Sequence, residues 1–355
     1  MLDCDLPTWR NSSVPSAADD LAAVIADAGP IPFVDYMRIA LYGQHGFYTQ
    51  SGSAGRRGDF ITSPEVGPLF GTVMAAALDA WWDELGRPEQ FDVVEAGAGP
   101  GTLARSICVA APRCAAAMRY VAVETSAVQR SRHPEGVMSV GNMPEGPITG
   151  VVFANELLDN LPFRLFVFDS GWKEAYVDVA PNGGFVEILR SVDMVPSVLP
   201  AHAAHGTRLP VQDNAASWVR DVFSRIARGR LVAIDYCTSA TVELASMPWR
   251  TWLRTYREHD RGEHYLRNVG LQDITAQVCL DQLPDGKLIT NQAAFLRLHG
   301  INALVEAGRQ YWHEHAAMPN LAAMKMRSRV LESEALLDPS GLGGFSVVEW
   351  VVSGS

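Results

Sequence analysis

The sequence predicts an α/β protein built on a mostly parallel sheet, and three observations predict it. From Phe91 onward, short β-branched runs alternate with loops and helical stretches, the pattern of strands joined by crossover helices. An apolar run ends at Glu95 and opens into the turn Gly97-Ala98-Gly99-Pro100-Gly101, directly ahead of a helical stretch. The composition is globular: of 355 residues 48% are hydrophobic and 19% charged, with nine Trp and thirteen Phe to fill a sizeable core.

Taken in order, the Ala-rich run 17–28, closed by Gly29-Pro30, predicts a helix. Apolar residues at helical spacing over 33–41 predict a second, ended by Gly43 and Gly46. A Gly/Ser/Arg-rich loop covers 51–58, and after Pro64 a long helix is expected over 69–85. Strands are expected at 92–95, 119–124, 136–140, 150–154 and 230–235. Between the fourth and fifth, FRLFVF, KEAYVDV and GFVEILR are separated by Asp169-Ser170-Gly171 and Pro181-Asn182-Gly183-Gly184, which predicts an antiparallel ribbon. Beyond Asp235 the pattern gives a helical stretch over 242–264, a short strand at 288–289, helices over 292–313 and 319–336, and a final strand within 341–352 returning to the sheet edge. Four regions result: an N-terminal helical extension with a closing loop (1–90), the first part of the core (91–163), a β-ribbon insertion (164–210), and the remainder of the core with helical additions and an edge strand (211–355).

Forty acidic against 29 basic residues give a formal charge of −11, a field that repels nucleic-acid backbones and anionic lipid and favours a cationic partner. The five cysteines are odd in number and scattered, without metal-knuckle or redox spacing, so they read as thiols of a reducing compartment. Asp3 and Asp5 stand where a targeting peptide would carry basic residues, and a cytoplasmic location is expected. The longest apolar stretch, 69–82, is interrupted by Asp79 and is too short to span a bilayer. No metal-ligand pattern occurs.

The glycine turn is the strongest local signal. Glycines at 97, 99 and 101 let the backbone pass close to a ligand, and a helix beginning at Thr102 and Leu103 would aim amide donors at it. Glu124, closing the second strand, is placed to accept hydrogen bonds from ribose hydroxyls. Asn142 and Met143, after the third strand, could read an adenine amino group and pack on its ring. Glu95, two residues before the first glycine, together with Gly-x-Gly-x-Gly spacing, favours S-adenosylmethionine over a dinucleotide.

Three segments, RRGDFITSPEVGPLFG at 56–71, EAGAGPGTL at 95–103 and ANELLDNLPFRLF at 154–166, resemble the MidA-like family, which includes arginine-methylating assembly factors of mitochondrial respiratory complex I. Weaker echoes, in order, extend the resemblance over about 30–350. It implies a class I methyltransferase sheet, S-adenosylmethionine as cofactor, and a loop containing Gly58, Asp59, Thr62, Ser63 and Pro64 that closes over the methionine part of the cofactor beside the Gly-rich turn; Asn155 is a further expected cofactor-binding residue. The acceptor implied is an arginine of a partner protein. A small metabolite or peptide product, a non-catalytic assembly factor and a homodimer all stay open. Because a guanidinium holds its proton tightly, carboxylates must orient it and take up that proton late. The candidates are Glu156 and Asp159 after the fourth strand, and Asp59 and Glu65 in the N-terminal loop.

Overall fold

The β-branched runs after residue 90 pair into one seven-stranded sheet. The computed structural model describes residues 14–50, 62–181, 183–257 and 260–353. The strands are β1 (Phe91–Ala96), β2 (Met118–Val123), β3 (Met138–Val140), β4 (Ile148–Asn155), β5 (Ile226–Asp235), β6 (Leu288–Asn291) and β7 (Ser346–Val352). Their spatial order is β6-β7-β5-β4-β1-β2-β3. β3, β2, β1, β4 and β5 run parallel, and β7 is antiparallel to both β5 and β6. This is a class I methyltransferase sheet, with its topological switch between β1 and β4.

Every residue of β1 is buried, as expected of a parallel strand covered on both faces. Asp92 is tolerated there because Arg119 Nε and the Thr149 amide donate to it at 2.8 and 3.1 Å. Where β4 and β5 pair Gly150 with Gly229, neither position has room for a side chain. A Cβ on Gly229 would lie 1.8 Å from the Gly150 carbonyl oxygen, and one on Gly150 would lie 2.0 Å from that of Asp92.

Two compact units divide the chain. The described residues of 53–158, together with Trp218–Cys237 and Pro284–Ser353, form the unit that carries the sheet. In it, helices α1 (Pro68–Glu84), α2 (Thr102–Ala110), α3 (Gln292–Leu298), α4 (Ile301–His315) and α5 (Leu321–Leu337) contribute to the core around Phe91, Val151 and Phe153. Pro68 starts α1, and the Leu69 amide donates to the buried carboxylate of Glu332 at 2.8 Å, so α5 caps the helix from outside its own sequence. The helix expected over 292–313 is two, because Gly300 takes φ 90° and ends the first. The final strand is not at the edge: β7 lies between β5 and β6, and the four residues of β6, all exposed, form the edge instead. Alternation along 346–352 predicts a strand but not its neighbours.

The other unit joins the described residues before 52 to Asp159–Ser217 and Thr238–Leu283. The expected ribbon is present as strands Arg164–Phe168, Trp172–Val179 and Phe185–Ser191, extended by Arg208–Val211 and by Ile31–Pro32. Helices Ala17–Ala28 and Phe33–Tyr42 pack into its core, the former started by a Ser16/Asp19 capping box. Of residues 1–90, the described ones before 52 fall in this unit and those from 62 onward in the other. The helix expected over 242–264 is absent: two short 3₁₀ turns lead into strand Leu253–Arg257, paired with Asp273–Ala276. There buried Leu253 and Thr255 alternate with half-buried Arg254 and Tyr256, a period-2 pattern that helical spacing mimics over so short a run. No helix among the described residues is long and apolar enough to cross a membrane.

Candidate functional site

The carboxyl ends of β1 and β4 lie side by side, with Ala96 opposite Ala154 in register, so Gly97 and Asn155 leave the sheet at the switch point. Gly97, Gly99 and Gly101 have φ of 70°, 52° and 75°, a run of left-handed backbone that only glycine adopts freely. Ala98 N–H donates to Val123 O at 3.0 Å and Gly101 N–H to Ala98 O at 2.9 Å, which fixes the turn. The glycines differ in their surroundings. A Cβ at Gly97 would press on Leu157 at 3.1 Å and one at Gly101 on Pro134 at 3.0 Å, whereas one at Gly99 would have no atom of the described residues, its chain neighbours aside, within 4 Å.

Glu124 bridges the turn to the loop after β2: its carboxylate accepts from Gly99 N–H at 3.0 Å and from Ser126 N–H at 2.8 Å. Acceptor capacity for a ribose hydroxyl is left over, since a carboxylate offers about four lone-pair sites. Val140 O accepts from the Glu124 amide, which places Asn142, exposed, and Met143, half-buried, on the same rim of the sheet. Thr102 Oγ1 donates to Glu65 Oε1 at 2.6 Å, tying the short helix Ser63–Val66, with Pro64 in its first turn, to the first turn of α2. Ser63 is buried and donates to Gln292 Oε1 at 2.9 Å, and Thr62 O receives the Glu65 amide. Leu103 is a core residue of α2. Gly58 and Asp59 lie outside the described residues.

At the end of β4, Asn155 Nδ2 donates to Glu156 Oε1 at 3.0 Å, and Asn155 Oδ1 is buried without a hydrogen-bond partner among the described residues. Glu156 itself has φ 51°, a left-handed conformation that costs a non-glycine residue roughly 1–3 kcal/mol and is concentrated at functional positions. Its amide donates to Ile234 O at 2.8 Å, which holds the kink in place. Asp235 braces the same rim, accepting from the Leu158 and Tyr236 amides at 3.0 Å each. Asp159 belongs to the other unit. There it is buried; burial first, then Asp273, and to a smaller degree Asp159 push the Tyr48 hydroxyl well above its usual range.

Two contributors escape sequence reasoning. His133 Nε2 donates to Gly99 O at 2.9 Å, and its ring packs where a Gly101 side chain would go. Only the His133-Pro134 pair after a short helix could have pointed to it. Tyr120 donates to Glu95 Oε2 at 2.7 Å within the sheet. Glu95 is buried, and that desolvation raises its pKa from 4.5 to about 7, against the lowering effect of the Tyr120 bond.

A carboxyl whose pKa rises on folding binds its proton more tightly in the native state. Its stabilising contribution is therefore complete below 4.5 and is lost as the pH climbs through about 7. Glu95→Gln keeps an acceptor for Tyr120 and removes the titration. It is expected to raise stability on the order of 3 kcal/mol above pH 7 and by almost nothing below the unfolded value. Urea unfolding at the two extremes checks this, and equal gains at both would refute it.

Comparison with known proteins accords with this geometry. Residues 73–301 match the family model of S-adenosyl-L-methionine-dependent methyltransferases. The mitochondrial protein arginine methyltransferase NDUFAF7 homolog of Drosophila melanogaster is 32% identical over 206 residues, 48% of this chain and 47% of that protein, so the match spans under half of the fly relative. Mitochondrial protein arginine methyltransferase NDUFAF7 of Mus musculus is 26% identical over 78% of this chain and 72% of its own length. A crystal structure of a COG1565 superfamily member from Burkholderia thailandensis, bound to S-adenosyl-homocysteine, superposes with a TM-score of 0.81 at 28% identity, covering 96% of this chain and 92% of that one. The curated relatives are named as mitochondrial, and this overturns the cytoplasmic expectation. Scattered cysteines point to a reducing compartment without saying which one. Matched over well over half its length, and carrying the glycine turn at the switch point of a class I sheet, the chain belongs to the MidA-like family of S-adenosyl-L-methionine-dependent methyltransferases.

Proposed function

We propose that this enzyme transfers a methyl group to a nitrogen of an arginine side chain in a partner protein. The observation that carries the reading is Glu156, a carboxylate held in left-handed backbone at the end of β4 beside Asn155. The arginine methyltransferase names of the curated relatives support the same acceptor.

The residues present fit S-adenosyl-L-methionine. The turn 97–101 offers bare main chain with open space at Gly99, Glu124 retains lone pairs for hydroxyl donors, and the buried, unfilled Asn155 Oδ1 would accept from an ammonium group. When bound, the cofactor supplies an electrophilic methyl group on a sulfonium. Glu65 and His133 act as positioning residues, the first through Thr102 and the second through the Gly99 carbonyl. Glu156 would pair with the guanidinium, aim one nitrogen and take its proton as methylation proceeds, because the free cation does not ionise near neutral pH. Asn155, by donating to Oε1, holds that carboxylate in one orientation.

Incubating the purified enzyme with cofactor labelled on its methyl group and a cell lysate is expected to label a protein band whose hydrolysate contains methylarginine. Label confined to small molecules, or to another amino acid, would sink the arginine assignment.

A further inference from the structure

Helix α5 carries apolar residues on two faces. One face is occupied: Ala323, Ser333 and Leu336 are buried, and Glu332 caps α1. The other lies open. Leu321, Met324 and Leu331 are 71%, 61% and 68% exposed. With Ser328 and Ala335 they recur at intervals of three and four residues, 321, 324, 328, 331 and 335, the a and d positions of two heptads. A helix with its only partner in the core would be polar along that line.

We propose that this stripe is a seam between two copies of the chain, α5 of each lying antiparallel to α5 of the other about a twofold axis. Shape and charge favour a second copy, and favour this orientation. An antiparallel seam layers a positions against d positions, so the small Ser328 meets Leu331 and the small Ala335 meets Met324, twice over. Ser328 brings no unmet donor, since its one hydroxyl hydrogen has both Lys325 O, at 2.8 Å, and Glu332 Oε1, at 2.7 Å, within reach as acceptors. Along one flank of the stripe stand exposed Arg327 and exposed Glu334, both at g positions. Antiparallel pairing brings g beside g, so Arg327 of each copy comes next to Glu334 of the other. A parallel pairing would instead set Arg327 beside position e, Glu332, a buried carboxylate already held by the Leu69 amide. Arg327 is already positioned, its guanidinium lying over the Trp312 ring at 4.7 Å from the centroid.

Sedimentation velocity on the full chain tests this, with circular dichroism melts to confirm folding. The wild type is expected to dimerise. Leu331→Glu, which introduces two carboxylates into the seam, should weaken the dimer at least roughly a hundredfold. Arg327→Glu and Glu334→Arg should each weaken it roughly three- to tenfold, and the two together should restore wild-type affinity. Leu331 and Glu334 are exposed in one copy, so melting of those monomers should not move, whereas Arg327→Glu gives up the Trp312 ring contact and should lower the melt slightly. A wild type that stays monomeric overturns the proposal. So does a dimer indifferent to Leu331→Glu, or single charge reversals that the double reversal does not rescue.

Discussion

Glu156→Gln is expected to lower kcat roughly a hundred- to ten-thousand-fold while leaving the affinity for S-adenosylhomocysteine unchanged. Glutamine is nearly isosteric and can still accept from Asn155 Nδ2, so the local structure should survive. What disappears is a negative charge that pairs with a guanidinium and a site that can take its proton. The backbone supplies a control. At φ 51°, Glu156→Gly should relieve strain and raise stability by about 1 kcal/mol while losing the same activity. A residue kept for stability would show the opposite pairing. Calorimetry with S-adenosylhomocysteine and a turnover assay decide the matter, and a fully active Glu156→Gln enzyme would remove this side chain from the chemistry.

Gly99→Val is expected to abolish measurable cofactor affinity while costing roughly 1–3 kcal/mol of stability, the penalty of a branched residue at φ 52°. The new Cβ would meet no atom of the described residues, its chain neighbours aside, within 4 Å, so the described fold has little to lose beyond backbone strain. Gly101→Val makes the contrast. There the added carbon would meet Pro134 and His133 at 3.0 and 3.1 Å, and destabilisation should dominate. Thermal melts with and without S-adenosylhomocysteine separate the two. Ligand protection that survives in Gly99→Val would show that the cofactor does not use this turn.

The sheet was legible because its signals are local. Each strand is a compact apolar run next to a turn residue, and the glycine turn announces itself by chemistry that few other arrangements require. Pairing order was not legible: nothing within 346–352 says that this strand enters between β5 and β6, because register is settled by partners distant in sequence. The partition into two units was equally hidden, since both are assembled from separated segments and share no composition break. In the site, Glu124, Asn155 and Glu156 were placed by their position at strand ends. Their hydrogen bonds were not: that Glu124 holds the Gly99 amide, or that Glu65 holds Thr102, depends on contacts 25 and 37 residues apart. His133 was missed for the same reason, being 34 residues from the carbonyl it supports.

Gly150 and Gly229, where three strands crowd together, bear on how mutational screens of this enzyme should be interpreted. Any side chain at either position must drive neighbouring main chain apart, so a survey scored by lost activity alone will rank both beside Gly99. They lie toward the amino ends of their strands, away from the carboxyl rim, and touch no reacting group. Conspicuous intolerance there reports on the scaffold's assembly, and only a companion measure of soluble, folded yield tells such positions apart from those that handle substrate.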